Sequence, residues 1–309
     1  MTRGRAAVLA TVACVLAAAC WAINAVIATG AFERGVSPER LAQVRVVVAL
    51  VPLAIVLLPT RRDLLRPAMR TVPALIGFGI SMVVVNWSYY VAIDRVPVGV
   101  AISLQYTAPV MILVGAALVT HRIPPRVIIG AGVLTLTGAI LVSGAFGSSA
   151  AGPLDSVGLL AGVLSAVSFA GYLLFAEAAG GRGSHPVTTL LVGFVVAVVV
   201  WAVMLPLWDW PFELLADPEV AWRVVAIGLV GTLIPFALVV AALRWVTSVV
   251  AGIATTTEPV LAAALAWLLL GQSLTLSQIV GGALVVAGVL VAQLARRPDP
   301  ATAPVEIAP

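Results

Sequence analysis

Two charged side chains sit where charge is costly. Arg45 falls inside the apolar run 37–58, and Glu258 lies near the middle of the run 247–270. An arginine at the centre of a membrane helix costs about 2.5–3.5 kcal/mol on insertion scales, so such groups turn toward a bundle interior. There Arg45 can bind a carboxylate or act as a gate; nearer a membrane edge it can snorkel to the interface instead. Glu258 can carry a proton or meet a cationic group; the alternative is a carboxyl satisfied by neighbouring hydroxyls at a structural kink. Pro259 removes a helical donor and frees a carbonyl near Thr255, and Pro109 makes the equivalent kink in the run 97–119.

Polar and aromatic side chains gather around these two. Asn86, Tyr89 and Tyr90 stand at i, i+3 and i+4 and share one helix face. Trp21 and Asn24 share a face of the first run, and Gln105 and Tyr106 lie in the outer half of the fourth. Around a polar cavity, this set suits a zwitterionic or partly aromatic small molecule. Tyr89 and Tyr90 also fit an interfacial aromatic belt. Asn24, Asn86 and Gln105 also fit interhelical hydrogen bonds worth about 0.6–2 kcal/mol. Tyr172 is assigned to the belt and Glu177 to the solvated interface, both toward the inner end of the sixth run.

Other chemistries find no residues. Cys14 and Cys20 are the only thiols and form no CxxC, which argues against a metal site or a structural disulfide. His121 and His185 fall in loops, and no HExxH, GxSxG or phosphate loop occurs, so neither an enzyme nor a self-driven ATPase is expected. No cofactor is expected. The sequon at Asn86 lies inside an apolar run and is discounted.

The elements that must position these residues are membrane helices. The chain has 309 residues, 62% hydrophobic and 10% charged, with a mean hydropathy of +1.15. Soluble chains carry about 25% charged residues, so lipid must be the solvent for much of this one. The net charge of +4 does not point to nucleic acid, because the arginines fall in short loops and form no stripe with aromatics. Ten runs can span a bilayer: 6–30, 37–58, 71–93, 97–119, 125–143, 156–178, 186–208, 222–246, 247–270 and 276–295. The first is too long for a signal-peptide core of about 7–15 residues and reads as a retained helix. The least distinct join lies near Val246.

Loop charge orients the runs. With the N-terminus cytoplasmic, the inner loops hold Arg3, Arg5, Arg61, Arg62, Arg66, Arg70, Arg122, Arg126, Arg182, Arg244, Arg296 and Arg297. The outer loops hold only Arg34, Arg40, Arg95 and Arg223. This positive-inside bias places both termini in the cytoplasm. Residues 298–309 read as a disordered tail.

A shift of 150 residues matches the chain to itself without gaps. Thr107, Pro109 and Val110 fall on Thr257, Pro259 and Val260; Gly132, Leu134 and Gly138 fall on Gly282, Leu284 and Gly288. The halves, 1–148 and 155–297, would each hold five helices, and an odd number forces them into opposite orientations. The expected fold is therefore an all-α membrane protein of ten transmembrane helices in two inverted five-helix repeats. Inverted repeats typically place a site near mid-membrane between the halves. Gly158 and Gly162, at GxxxG spacing, fit close helix packing; the pattern is common and does not imply a dimer, and a homodimer stays an open alternative.

The stretch Trp21 to Asn24, then Gly35 to Pro38, then Leu41 to Arg45 resembles the first two helices of EamA-type members of the drug/metabolite transporter superfamily. Thr257 to Gly271 resembles that family's ninth helix. Together with the repeat, the resemblance covers nearly the whole chain. It departs where the family has Gly-Glu after the fourth and ninth helices, since Thr120-His121 and Gly271-Gln272 stand there, and where Ala22 replaces a glycine. The resemblance implies a secondary transporter of a small metabolite in a bacterial-type cytoplasmic membrane. Export by exchange with a proton or another coupling ion is expected, with a membrane scaffold or a lipid-linked substrate flippase as the alternative.

Overall fold

A computed structural model of the chain describes residues 3–96, 98–120, 124–143, 155–270 and 274–295. His121, Gly271, Gln272 and the tail 298–309 lie outside the described residues. Helices α1 (Arg3–Phe32), α2 (Pro38–Thr60) and α3 (Val72–Arg95) are followed by α4 (Val98–Gln105), α5 (Ala108–Thr120) and α6 (Arg126–Val142). Helices α7 (Ser156–Gly181), α8 (Pro186–Met204) and α9 (Pro218–Gly228) come next, then α10 (Ile234–Ala242), α11 (Ser248–Thr255), α12 (Glu258–Leu270) and α13 (Leu276–Leu294). There is no strand among the described residues.

Local chemistry sets the ends. Gly35, at φ +88°, turns the chain between α1 and α2, a conformation that needs no Cβ. Ser37 Oγ then caps α2 by accepting from Arg40 N at 3.3 Å. Asp155 caps α7 by accepting from Val157 N at 2.8 Å, and holds Arg95 at the end of α3 at 3.1 Å. The Val157 N–H first, and the Arg95 guanidinium after it, keep the Asp155 carboxyl below the usual carboxylate range. Thr275 and Gln278 form a capping box at the start of α13.

Eight stretches are long and apolar enough to cross a bilayer, with two shorter apolar ones at Val100–Gly115 and Arg126–Val142. The shorter pair falls on the expected spans 97–119 and 125–143. A two-residue break at 106–107 separates α4 from α5. A matching break at 256–257 separates α11 from α12. Each is followed by proline at the second position of the next helix, so the expected kinks at Pro109 and Pro259 are full interruptions. Thr107 Oγ1 donates to Leu104 O at 2.6 Å and Thr257 Oγ1 to Ala254 O at 2.8 Å, the same bond 150 residues on.

The outside of the bundle is apolar. Leu160 is 70% exposed and Val203 82%, where a soluble protein would place polar side chains. The inside is packed through small residues. A Cβ at Gly138 would lie 2.5 Å from the Gly281 carbonyl oxygen, and one at Gly288 would lie 2.8 Å from that of Ala131. Gly281 and Gly288 stand 150 residues beyond Ala131 and Gly138. Helices α6 and α13 therefore run antiparallel and make one contact twice with the roles exchanged. Gly158 and Gly162 face inward too, against Arg95, Val96 and Leu104. Their GxxxG packs α7 on the chain's own α3 and α4.

Candidate functional site

A cavity of about 340 Å³ opens among α1, α2, α3, α4, α7, α10 and α12. Trp21 and Asn24 come from α1, Arg45 from α2, and Asn86, Tyr89 and Tyr90 from α3. Gln105 closes α4 at the first break, and Glu258 opens α12 at the second. Tyr106, buried at 4% exposure, reaches the same place by donating its hydroxyl to Glu258 Oε2 at 2.5 Å. The residues singled out in the sequence thus come together around one space. Pro109 and Pro259 follow the two breaks that bring them there.

Arg45 is 4% exposed, and its guanidinium is held by neutral acceptors. Nε donates to Thr232 Oγ1 at 2.7 Å, Nη2 to Gly231 O at 2.5 Å, and Nη1 to Asn86 Oδ1 at 2.9 Å and Tyr90 Oη at 3.4 Å. Each partner is set up by its own element. Leu229–Leu233 forms a π-helical turn between α9 and α10. Pro235 has no N–H to give to Gly231, four residues back, and that carbonyl is turned to Arg45. Thr232 Oγ1 donates to Ile227 O at 2.9 Å, which leaves its lone pairs for Arg45. Asn86 Nδ2 donates to Met82 O at 2.7 Å, which fixes its amide oxygen toward the guanidinium.

The ion pairs among the described residues join Arg34 to Asp217, Arg61 to Asp63, Arg95 to Asp155 and Arg223 to Glu219. None includes Arg45 or Glu258. A buried cation held only by dipoles keeps most of its desolvation cost, which a contacting anion would offset. Glu258, at the first position of α12, faces the positive end of that helix. The cavity therefore presents one cation and one carboxyl group that do not satisfy each other.

Aromatic rings form the floor. Trp21 meets Phe169 at 6.1 Å and Phe236 at 5.8 Å, and Tyr172 meets Phe169 at 5.2 Å and Phe236 at 5.4 Å. On the far wall Phe32 packs edge-on against Tyr90 at 5.9 Å. Tyr172 is a cavity residue and not, as its sequence position suggested, an interfacial one. Its side chain is 1% exposed and lines the cavity, because that face of α7 turns inward. Tyr89 and Tyr90 line the cavity as well, while Trp87 on the same helix is turned outward. Glu177 is not simply solvated: its Oε2 accepts from Ser248 N at 2.9 Å and caps α11. His185 caps α8 by accepting from Val187 N at 3.3 Å. Asn24 Oδ1 and the Tyr172 hydroxyl are buried and bond to no protein group.

Phe32, Phe169, Phe236, Gly231 and Thr232 join the site without having stood out in the sequence. The phenylalanines carry no signal in an apolar run. Gly231 and Thr232 did carry one, since Pro235 implies a freed carbonyl just as Pro259 does.

Comparison with known proteins fits this geometry. The model of the EamA-like transporter family matches twice, at residues 8–144 and 156–293. An uncharacterized transporter of Archaeoglobus fulgidus is 27% identical over 230 residues, 74% of this chain and 79% of its own. The threonine/homoserine exporter RhtA of Salmonella typhimurium is 27% identical over 241 residues, 75% of each chain. RhtA of Escherichia coli K12 is 27% identical over 222 residues, 69% of this chain and 68% of its own. A solved crystal structure superposes with a TM-score of 0.74 at 18% identity, covering 95% of this chain and 99% of that one. With the family unit matched in both halves, the chain belongs to the EamA-like transporter family and is a multi-pass membrane transporter, not an enzyme.

Proposed function

We propose that this transporter moves an amino-acid-like zwitterion across the cytoplasmic membrane by alternating access, exporting it in exchange for protons. The observation that carries this reading is the pairing of Arg45 and Glu258 in one cavity without a bond between them. The solute carboxylate binds Arg45, whose planar fork suits it. The ammonium group binds Glu258, and the solute side chain lies against Trp21, Phe169 and Phe236. A proton on Glu258 competes with the ammonium group, which makes exchange obligatory. The relatives named as threonine/homoserine exporters supply the first solutes to test.

The architecture we propose is ten transmembrane helices in two inverted repeats, 1–148 and 155–297, with both termini cytoplasmic. Supporting it are the matched breaks at 106–107 and 256–257 and the reciprocal contact between α6 and α13. The site itself breaks the repeat. Val195 stands 150 residues beyond Arg45, and Ala108 stands 150 before Glu258. Each chain therefore has one binding site, asymmetric in charge, and rocking of one repeat against the other exposes it to alternate sides.

The test is flux of labelled threonine from proteoliposomes holding the full chain, with and without an imposed proton gradient. Wild type is expected to couple the two, and Glu258→Gln to lose gradient-driven flux while still folding. Gradient-driven flux that survives unchanged in Glu258→Gln removes that residue as the carrier. No flux of any amino acid by wild type turns the reading toward a scaffold.

A further inference from the structure

We propose that a groove on the lipid-facing side of α1 and α10 binds one anionic phospholipid, its acyl chain in the groove and its phosphate between Arg5 and Arg244. The groove holds about 470 Å³ and is lined only by apolar side chains, among them Ala6, Ala10, Ala13, Ala237, Ala241 and Trp245. It lies on the face of α10 away from the solute cavity, which the neighbouring Phe236 lines. Small side chains on both helices leave the space open. From Leu233 to Ala242 it runs about 14 Å at 1.5 Å per residue, close to one leaflet of a hydrocarbon core about 30 Å thick. An acyl chain entering from one membrane surface fits that length.

The headgroup end is marked by chemistry. Ala6 and Trp245 line the groove at the end where α1 begins and α10 finishes, and each is next in sequence to an exposed arginine, Arg5 or Arg244. Neither arginine forms an ion pair among the described residues. Glu177, which reaches this end of the bundle, is engaged by Ser248 N–H at 2.9 Å. Trp245 is 52% exposed and places its ring where tryptophans sit at headgroup level. Basic clefts between transmembrane helices select anionic headgroups in this way. A second copy of the chain fits less well, because among the described residues the acids at this end are already engaged: Asp63 by Arg61 and Glu177 by Ser248.

The test uses the full chain in nanodiscs of phosphatidylcholine and phosphatidylglycerol, with retained lipid counted by native mass spectrometry. Wild type is expected to keep one phosphatidylglycerol in preference to phosphatidylcholine. Arg5→Ala and Arg244→Ala should each lower that preference about fivefold. Ala241→Trp, which fills the groove, should abolish retention of both lipids at an unchanged melting temperature. Equal retention of the two lipids by wild type overturns the proposal. So does an undiminished preference in the double arginine variant, retention by Ala241→Trp, or a protein dimer that Ala241→Trp dissociates.

Discussion

Tyr106 donates its hydroxyl to Glu258 Oε2 at 2.5 Å, and this bond joins the breaks of two helices that match at an offset of 150 residues. Tyr106 sits in the first break and Glu258 starts the helix after the second. A single hydrogen bond thus ties the carboxyl group of one half to the interrupted helix of the other.

Tyr106→Phe keeps the ring and removes only the hydroxyl. Hydrogen bonds to charged groups contribute about 1.5–3 kcal/mol, so gradient-driven flux should fall roughly tenfold or more. Gradient-independent exchange of solute for solute, measured in the same proteoliposomes, should fall less, because the cavity keeps its shape.

Arg45→Lys keeps a charge but loses the fork that reaches Thr232, Gly231 and Asn86 together. Solute affinity should weaken by about 10-fold or more on the same scale, read by scintillation proximity binding. The loss should be absent for an analogue without a carboxylate, which separates ligand binding from misfolding.

Pro235→Ala restores an N–H that competes for the Gly231 carbonyl now accepting from Arg45. The variant should melt at or above the wild-type temperature and yet transport poorly, since regular helix is gained where Arg45 loses an acceptor. Loss of both stability and transport would place the role of Pro235 in packing alone.

Gly138→Val should fail to assemble, because its Cβ would meet the Gly281 carbonyl oxygen at 2.5 Å. Overpacking costs about 1–3 kcal/mol where side chains can move, and backbone cannot. Gly115→Ala, with nothing within 4 Å, should be neutral or stabilising in the same thermal shift assay.

Legibility in the sequence followed cost. Arg45 and Glu258 stood out because charge inside an apolar run is expensive, and the structure puts both on one cavity. The helix breaks were announced by Pro109 and Pro259. Tyr172 was misplaced because depth along a helix can be read from sequence, whereas the direction of an aromatic ring on an all-apolar helix cannot. Phe169 and Phe236 were hidden for the same reason: the two faces of a buried membrane helix have nearly the same composition. The stretch 97–119 was legible as an apolar run, but its division into α4 and α5, where Thr107 Oγ1 bonds back to Leu104 O, was not.

The central claim is that Arg45 and Glu258 hold opposite charges of one solute, and ligand dissection tests it most directly. Binding of threonine to the purified full chain should be compared with binding of its decarboxylated amine and its deaminated hydroxy acid. Each single-charge analogue should bind at least tenfold more weakly, and Arg45→Lys and Glu258→Gln should each abolish the preference for one missing group. Equal binding of threonine and either analogue by wild type would contradict the account.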